Sequence, residues 1–227
     1  MYRFAMIVGL AFLVAGCTTG RDFAKPADET FPLGSTTRAE IEAKFGAPYQ
    51  QSTMTRAASD STGQPANPFA PNTVAGTYAS LVYAHSDRSA TVLYGGRASA
   101  KAIDFIFWND TLVAYNYVSN FTADSSNFDE AKISGIQKGR SQKAEVTALL
   151  GPPTGRRVFP LVRDNGNEAF VYDYVIVADG QRHDKMLIVL FTPDGVATDY
   201  VFNSQDAPMP RVGATGTTFM PIFIPHK

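Results

Sequence analysis

The feature that most constrains this chain is a segment that occurs twice. Gly34 to Pro48 lines up without a gap with Gly139 to Pro153. Gly34/Gly139, Ala39/Ala144, Glu40/Glu145, Ala43/Ala148, Gly46/Gly151 and Pro48/Pro153 are identical pairs, and Ile41/Val146, Phe45/Leu150 and Thr36/Ser141 are conservative ones. Each copy reads as a helix of about two turns. In the first, Thr37 and Glu40 fit a capping box. In the second, Ser141 is the expected N-cap, since Gln142 stands where the first copy has Thr37. Gly46 and Gly151 suit the left-handed residue that ends a helix, and the prolines beyond them prevent continuation. A helix this short is not stable alone and must dock on a sheet.

Runs rich in Val, Ile, Tyr and Phe follow each copy and predict strands. After the first they are Tyr78–His85, Ala90–Tyr94, Ala102–Trp108 and Thr111–Asn120; after the second, Arg157–Val162, Ala169–Ala178, Lys185–Thr192 and Val196–Asn203. Asn109-Asp110, Asp179-Gly180 and Pro193-Asp194-Gly195 mark turns between them. The expected fold class is therefore α+β: two tandem helix-plus-antiparallel-meander units, with one curved sheet shared between them as an option and helices on one face. Unit 1 covers 31–122 and unit 2 covers 133–203. Residues 52–77, with Pro65, Pro68 and Pro71, read as a mobile insertion in unit 1. Residues 204–227 read as a Pro-rich, extended tail.

A polar N-cap, an acidic residue before Ile41 or Val146, then Phe45-Gly46-x-Pro48 or Leu150-Gly151-x-Pro153 and a meander resembles the SmpA/OmlA (BamE-like) domain. The tandem arrangement is similar to the β-lactamase inhibitor protein, two such units on a continuous sheet. The resemblance spans most of the chain beyond residue 30 and implies a small envelope lipoprotein of scaffold or assembly-factor type. It departs from both relatives: BamE-like proteins have one unit, and the inhibitor's units carry disulfides, whereas Cys17 is the only cysteine here.

The first residues agree with an envelope location. Arg3 is followed by an apolar run from Phe4 to Val14, too short for a membrane span of ~20 residues and suited to a signal peptide. Leu13-Val14-Ala15-Gly16-Cys17 resembles a bacterial lipobox. That resemblance implies removal of residues 1–16 and modification of Cys17 by a diacylglycerol and an N-acyl chain such as palmitate. Thr18 in place of Asp implies sorting to the outer membrane, on its periplasmic face. Residues 17–30 then form the lipidated cysteine and a flexible tether, reaching at most roughly 40 Å when extended.

The remaining composition narrows function by exclusion. A net charge of -1 with no basic run gives no footprint for nucleic acid. No phosphate loop, dinucleotide fingerprint, zinc-protease helix or nucleophile elbow is present. His85, His183 and His226 are scattered, so neither a metal nor any cofactor beyond the acyl chains is expected. Asp104, Asp173, Asp184 and Asp199 fall in or beside strands, where a solvated sheet face is the ordinary place for them. Tyr83, Tyr94, Tyr115, Tyr117, Tyr172, Tyr174 and Tyr200, with Trp108 at a hairpin edge, are the candidate partner-binding residues. Alternation puts Tyr115 with Tyr117, and Tyr172 with Tyr174, on one face each, where they serve either core or interface. The expectation is a non-enzymatic lipoprotein of the outer membrane that binds a protein partner or envelope component. The alternative is an inhibitor of a periplasmic or secreted enzyme, inserting residues 52–77 or the Tyr94–Arg97 turn into its target.

Overall fold

The computed structural model describes residues 18–27, 30–57, 74–87, 99–178 and 181–208. In chain order they form β1 (Thr18–Thr19), α1 (Arg38–Phe45), β2 (Gln50–Arg56), β3 (Gly76–Asp87), β4 (Ser99–Trp108), β5 (Thr111–Ser119), a 3-10 helix (Glu130–Gly135), α2 (Lys143–Leu150), β6 (Gly155–Val158), β7 (Glu168–Ala178), β8 (Gln181–Phe191) and β9 (Ala197–Pro208). The strands make one nine-stranded sheet in the order β1-β3-β4-β5-β6-β7-β8-β9, and β2 pairs with β3 next to β1. All pairings are antiparallel.

The α+β expectation is thereby corrected. The described residues do not form two helix-plus-meander units but one antiparallel sheet, all-β in weight, that runs without interruption through the junction. β5 and β6 zip through Ala114↔Arg157, Tyr115↔Arg156 and Asn116↔Gly155. The helices are too small to constitute a layer: each α-helix has eight residues, burying Ile41 in α1 and Val146 with Leu150 in α2.

Within that sheet the duplicated sequence reproduces its local contacts. Tyr83 donates its hydroxyl to the Gly46 carbonyl at 3.0 Å, and Tyr172 donates to the Gly151 carbonyl at 3.2 Å. Gly46 (φ 78°, ψ -151°) and Gly151 (φ 86°, ψ -178°) adopt a conformation open essentially to glycine alone. The Leu112 amide donates to Thr36, and the Ala197 amide to Ser141, both at 2.8 Å. Both hairpins carry a register irregularity at the matching place, Ile106/Phe107 and Leu190/Phe191.

Thr37 caps α1 as its sequence suggests, with Glu40 accepting from the Thr37 amide at 2.7 Å. The second cap differs from expectation. Gln142, not Ser141, is the N-cap, and Glu145 accepts from its amide at 2.8 Å. Ser141 is buried and accepts from the Gln137 amide at 3.0 Å, so its hydroxyl is committed to the preceding turn.

Three segment boundaries are corrected as well. Residues 52–56 of the supposed mobile insertion belong to strand β2 and 76–77 to β3, and 204–208 of the supposed tail continue β9. The tether is docked along residues 18–27: β1 pairs with the end of β3, Asp22 pairs with Lys101 at 2.7 Å, and Lys25 donates to the Pro153 carbonyl at 2.8 Å. Phe23 stands edge-on to Phe45 and Tyr117. An aromatic side chain placed six residues after the tether begins at Cys17 finds apolar surface to cover, which outweighs the chain entropy of a free linker. The signal segment 1–16, Cys17, the Ala90–Tyr94 strand, residues 58–73 and residues 209–227 lie outside the described residues.

Alternation along the strands sorts side chains onto two faces. The face that the helices cover holds two cores. Ile41, Leu81, Ile103, Phe105, Phe107 and Leu112 center the first, and Val146, Tyr172, Leu187, Val189 and Phe191 the second. On the helix-free face a buried apolar cluster forms in the second half. There Val162, on the loop after β6, packs with Ala169, Val171, Ile188 and Leu190.

Candidate functional site

The helix-free face changes character where β5 meets β6. Strand alternation places Ser80 of β3, Asp104 of β4, Asn116 of β5, Arg157 of β6 and Asp173 of β7 on this face. Asp104, Asn116 and Asp173 are only 5%, 5% and 3% exposed. The Ser80 hydroxyl donates to Asp104 Oδ1 at 2.6 Å. Asn116 Nδ2 donates to Asp173 Oδ2 at 2.7 Å, reaching over β6 to do so. Gly155 makes that reach possible. A Cβ there would lie 2.4 Å from the Tyr115 carbonyl oxygen and 2.9 Å from Asn116 Oδ1. Thr154, one residue earlier, fixes the far side: its hydroxyl accepts from the Asp173 amide at 2.9 Å and donates to the Val171 carbonyl at 3.1 Å.

Burial dominates the electrostatics of this row. It raises the carboxyl of Asp104 to about 6, against the Ser80 hydrogen bond and the positive charge of Arg157, which favour ionisation. It raises Asp173 to about 6 likewise, opposed by the Asn116 hydrogen bond and by Arg157. Arg157 lies in the field of both carboxylates, and burial pushes its guanidinium below the ordinary arginine value. It enters no hydrogen bond or ion pair with the described residues. Asn116 Oδ1 is a buried acceptor with no donor. Such an atom costs of the order of 1–3 kcal/mol unless something supplies one.

These positions revise the expectation for the acidic residues. Asp104 and Asp173 do not lie on a solvated face; they are buried in the row on either side of Arg157, while Asp184 pairs with Arg182 and Asp199 with Lys138. Arg157, Asn116 and Ser80 were not singled out from sequence. The one available signal was a charge set inside otherwise apolar strand, Ile103-Asp104-Phe105 and Tyr172-Asp173-Tyr174. Nothing local shows that two such strands flank the same arginine.

The aromatic candidates divide between the two alternatives, core and surface. Tyr83, Tyr115, Tyr117 and Tyr172 are 5%, 4%, 1% and 1% exposed, so they are core residues and not partner surface. Their hydroxyls explain why they read as amphipathic. Those of Tyr83 and Tyr172 hold the helix ends, and that of Tyr117 donates to Asp124 at 2.6 Å. Tyr174 and Tyr200 are partly exposed, the first beside Lys185 and the second with Lys138 5.0 Å from its ring. Trp108 is partly exposed on the helix-free face, edge-on to Phe159 and donating to the Ala75 carbonyl at 3.2 Å. Tyr94 and His226 lie outside the described residues. His85 stacks on Phe121, and His183 contacts Asp206 at 2.7 Å. Among the described residues no three His, Cys, Asp or Glu side chains are grouped to hold a metal ion, and no helix is long and apolar enough to cross a membrane.

A cleft of about 450 Å³ lies elsewhere, between the docked residues 20–26 and the end of α1. Phe23, Phe45, Tyr49 and Tyr83 line it. No protein-family model matches the sequence, and comparison with curated proteins and with solved structures yields no match to either.

Proposed function

We propose that this chain is a non-enzymatic, lipid-anchored protein of the outer membrane that binds an extended segment of a protein partner across its helix-free face, at the junction of β5 and β6. The observation that carries this reading is the pair of uncommitted groups there. Asn116 Oδ1 lacks a donor, and the Arg157 guanidinium is held by the charges of Asp173 and Asp104 and is open to an acceptor in addition. A peptide group offers both at once. Asp104 and Asp173 on either side keep a second anion from settling beside Arg157, which favours a neutral backbone amide over a carboxylate. Apolar flanks, Trp108 with Phe159 on one side and Val118 on the other, supply contact area.

A photo-crosslinking residue at Val118, on this face, is expected to give a discrete adduct in cell envelopes. The same residue at Ser134, exposed on the 3-10 helix, is expected to give none, and Arg157→Gln in the Val118 background should reduce the adduct several-fold. An adduct of equal yield from both positions, or one indifferent to Arg157→Gln, refutes the site. Cys17→Ala with membrane fractionation tests the anchor separately.

A further inference from the structure

Residues 18–27 leave little slack between Cys17 and the sheet. Thr18 pairs with Asp87 and Thr19 with Ser86. Gly20 (φ 82°) runs so close to β3 that a Cβ would lie 2.0 Å from the Ala84 carbonyl oxygen. The Asp22–Lys101 ion pair, the Phe23 ring contacts and the Lys25 bond to Pro153 continue the attachment. Burial pushes the Lys101 ammonium down, but Asp22 and Asp124 more than offset this and raise it, so the lock is charged across the neutral range. Cys17 is one peptide bond away from Thr18, ~3.8 Å between Cα atoms. A free linker of ten residues would instead let the attachment point wander over roughly 18 Å.

The same end of the sheet has a surface of interfacial character. His85, Lys101 and Ser119 are neighbours across β3, β4 and β5. Just beyond, Phe121 is partly exposed, with the His85 ring stacked on it at 5.8 Å and Lys101 Nζ 5.3 Å from its centre. Arg21, Thr122 and Ala123 are exposed around it. An aromatic ring with a cation beside it suits the headgroup layer, where one side is apolar and the other wet. Ser35 lies beyond the opposite end of β5, a strand of nine residues that spans roughly 30 Å.

We propose that this rim, the ends of β1, β3, β4 and β5 with Phe121, rests on the bilayer that carries the acyl chains of Cys17, so that the strands of the first half stand up from the membrane at a fixed orientation. The inference rests on the lipid-anchor reading and adds geometry to it. Because Cys17 is the only cysteine and its sulfur is acylated in the anchored protein, an introduced cysteine is a unique labelling site. Full-length acylated protein carrying Thr122→Cys or Ser35→Cys is labelled with bimane. It is then reconstituted in phosphatidylethanolamine/phosphatidylglycerol vesicles containing a headgroup nitroxide lipid.

Quenching at 122 is expected to exceed that at 35 several-fold. Inserting ten Gly/Ser residues between Cys17 and Thr18 should bring 122 down to the level of 35. Equal quenching at both positions, in protein whose acylation is verified by mass, overturns the orientation while leaving the anchor intact. Absence of acyl mass on Cys17 overturns both.

Discussion

The two halves of the sheet share their scaffold and differ in what backs it. In both, a helix of two turns ends at a glycine whose carbonyl accepts from a buried tyrosine. In the second half the opposite face is covered by the loop after β6, with Val162 only 2% exposed among aliphatic residues. In the first half that face carries Ser80, Asp104 and Asn116. The core under α1 is also more aromatic. Phe45 lies 4.9 Å from Tyr83 and 5.1 Å from Phe105, while Leu150 occupies the matching place in α2. The contrast teaches that the repeated motif specifies a helix dock and nothing about the far side of the sheet. Chemistry is free to appear there, and does so where the apolar cover stops.

The hardest test of this comparison is whether the halves unfold together. Phe105 and Phe191 are both fully buried, one in each half. Phe105→Ala and Phe191→Ala should each lower stability by about 3–5 kcal/mol. If the sheet is one cooperative body, urea titration will show a single transition shifted by either change. Two transitions, each answering to one variant, would mean that the junction does not couple them.

A smaller effect is expected at the junction itself. Gly155→Ala places a methyl against backbone at 2.4 Å, which cannot yield as a side-chain tip would. A loss of about 1–3 kcal/mol is expected, with weaker crosslinking from Val118. An unchanged midpoint in urea would show that β6 can shift away from β5 freely.

The buried carboxyls give the junction a pH signature of definite sign. Asp104 and Asp173 have folded values raised to about 6 from 3.8, so the folded state binds more protons between those limits. Their contribution to stability is full below about 3.8 and is lost as pH rises through about 6. The Asp104→Asn/Asp173→Asn variant should therefore gain on the parent by up to a few kcal/mol from pH 4 to pH 7.5. Thermal midpoints of the two proteins across that range check it, and parallel curves would contradict it. Subtracting the two curves removes the opposing acid loss from Glu168, which Arg156 and Lys143 hold below its ordinary value despite its burial.

The smallest difference is at the caps. Both helices start with a capping box, but Thr37 closes its own with a short hydroxyl that accepts from the Glu40 amide, whereas Gln142 does so with a longer, more flexible amide side chain. Thr37→Ala should cost about 1 kcal/mol and Gln142→Ala only a few tenths, readable as shifts in the urea midpoint. Equal costs would mean that the Gln142 side chain closes its capping box as firmly as Thr37 does.

These expectations show what was legible in the sequence. Helix ends were, because glycine, proline and capping residues act within a few positions. Seven of the predicted strands overlap observed ones, since β-branched and aromatic runs report locally on a pleated, half-buried surface. The pairing of β5 with β6 was not, because the sequence between them contains two helical segments and carries no turn signal. A shared sheet stood only as an option, and this one ladder turns two units into a single sheet. The tyrosines illustrate the same limit. Alternation placed Tyr115 and Tyr117 on one face correctly, but period two does not say which face is covered. The site was hidden for a further reason: Asp104 and Asp173 are far apart in the chain and meet only through an arginine on a third strand.

The order of the strands has a consequence for how the molecule assembles. From β3 to β9 every strand lies beside its neighbour in sequence, so the sheet lengthens hairpin by hairpin except between β5 and β6, where a long connection holding the 3-10 helix and α2 has to close. β1 alone breaks the pattern, reaching over sixty residues ahead to pair with Asp87. It can dock only after β3 has formed, and with just two residue pairs it is the first ladder to let go. β1 is thus synthesised well before the strand on which it docks.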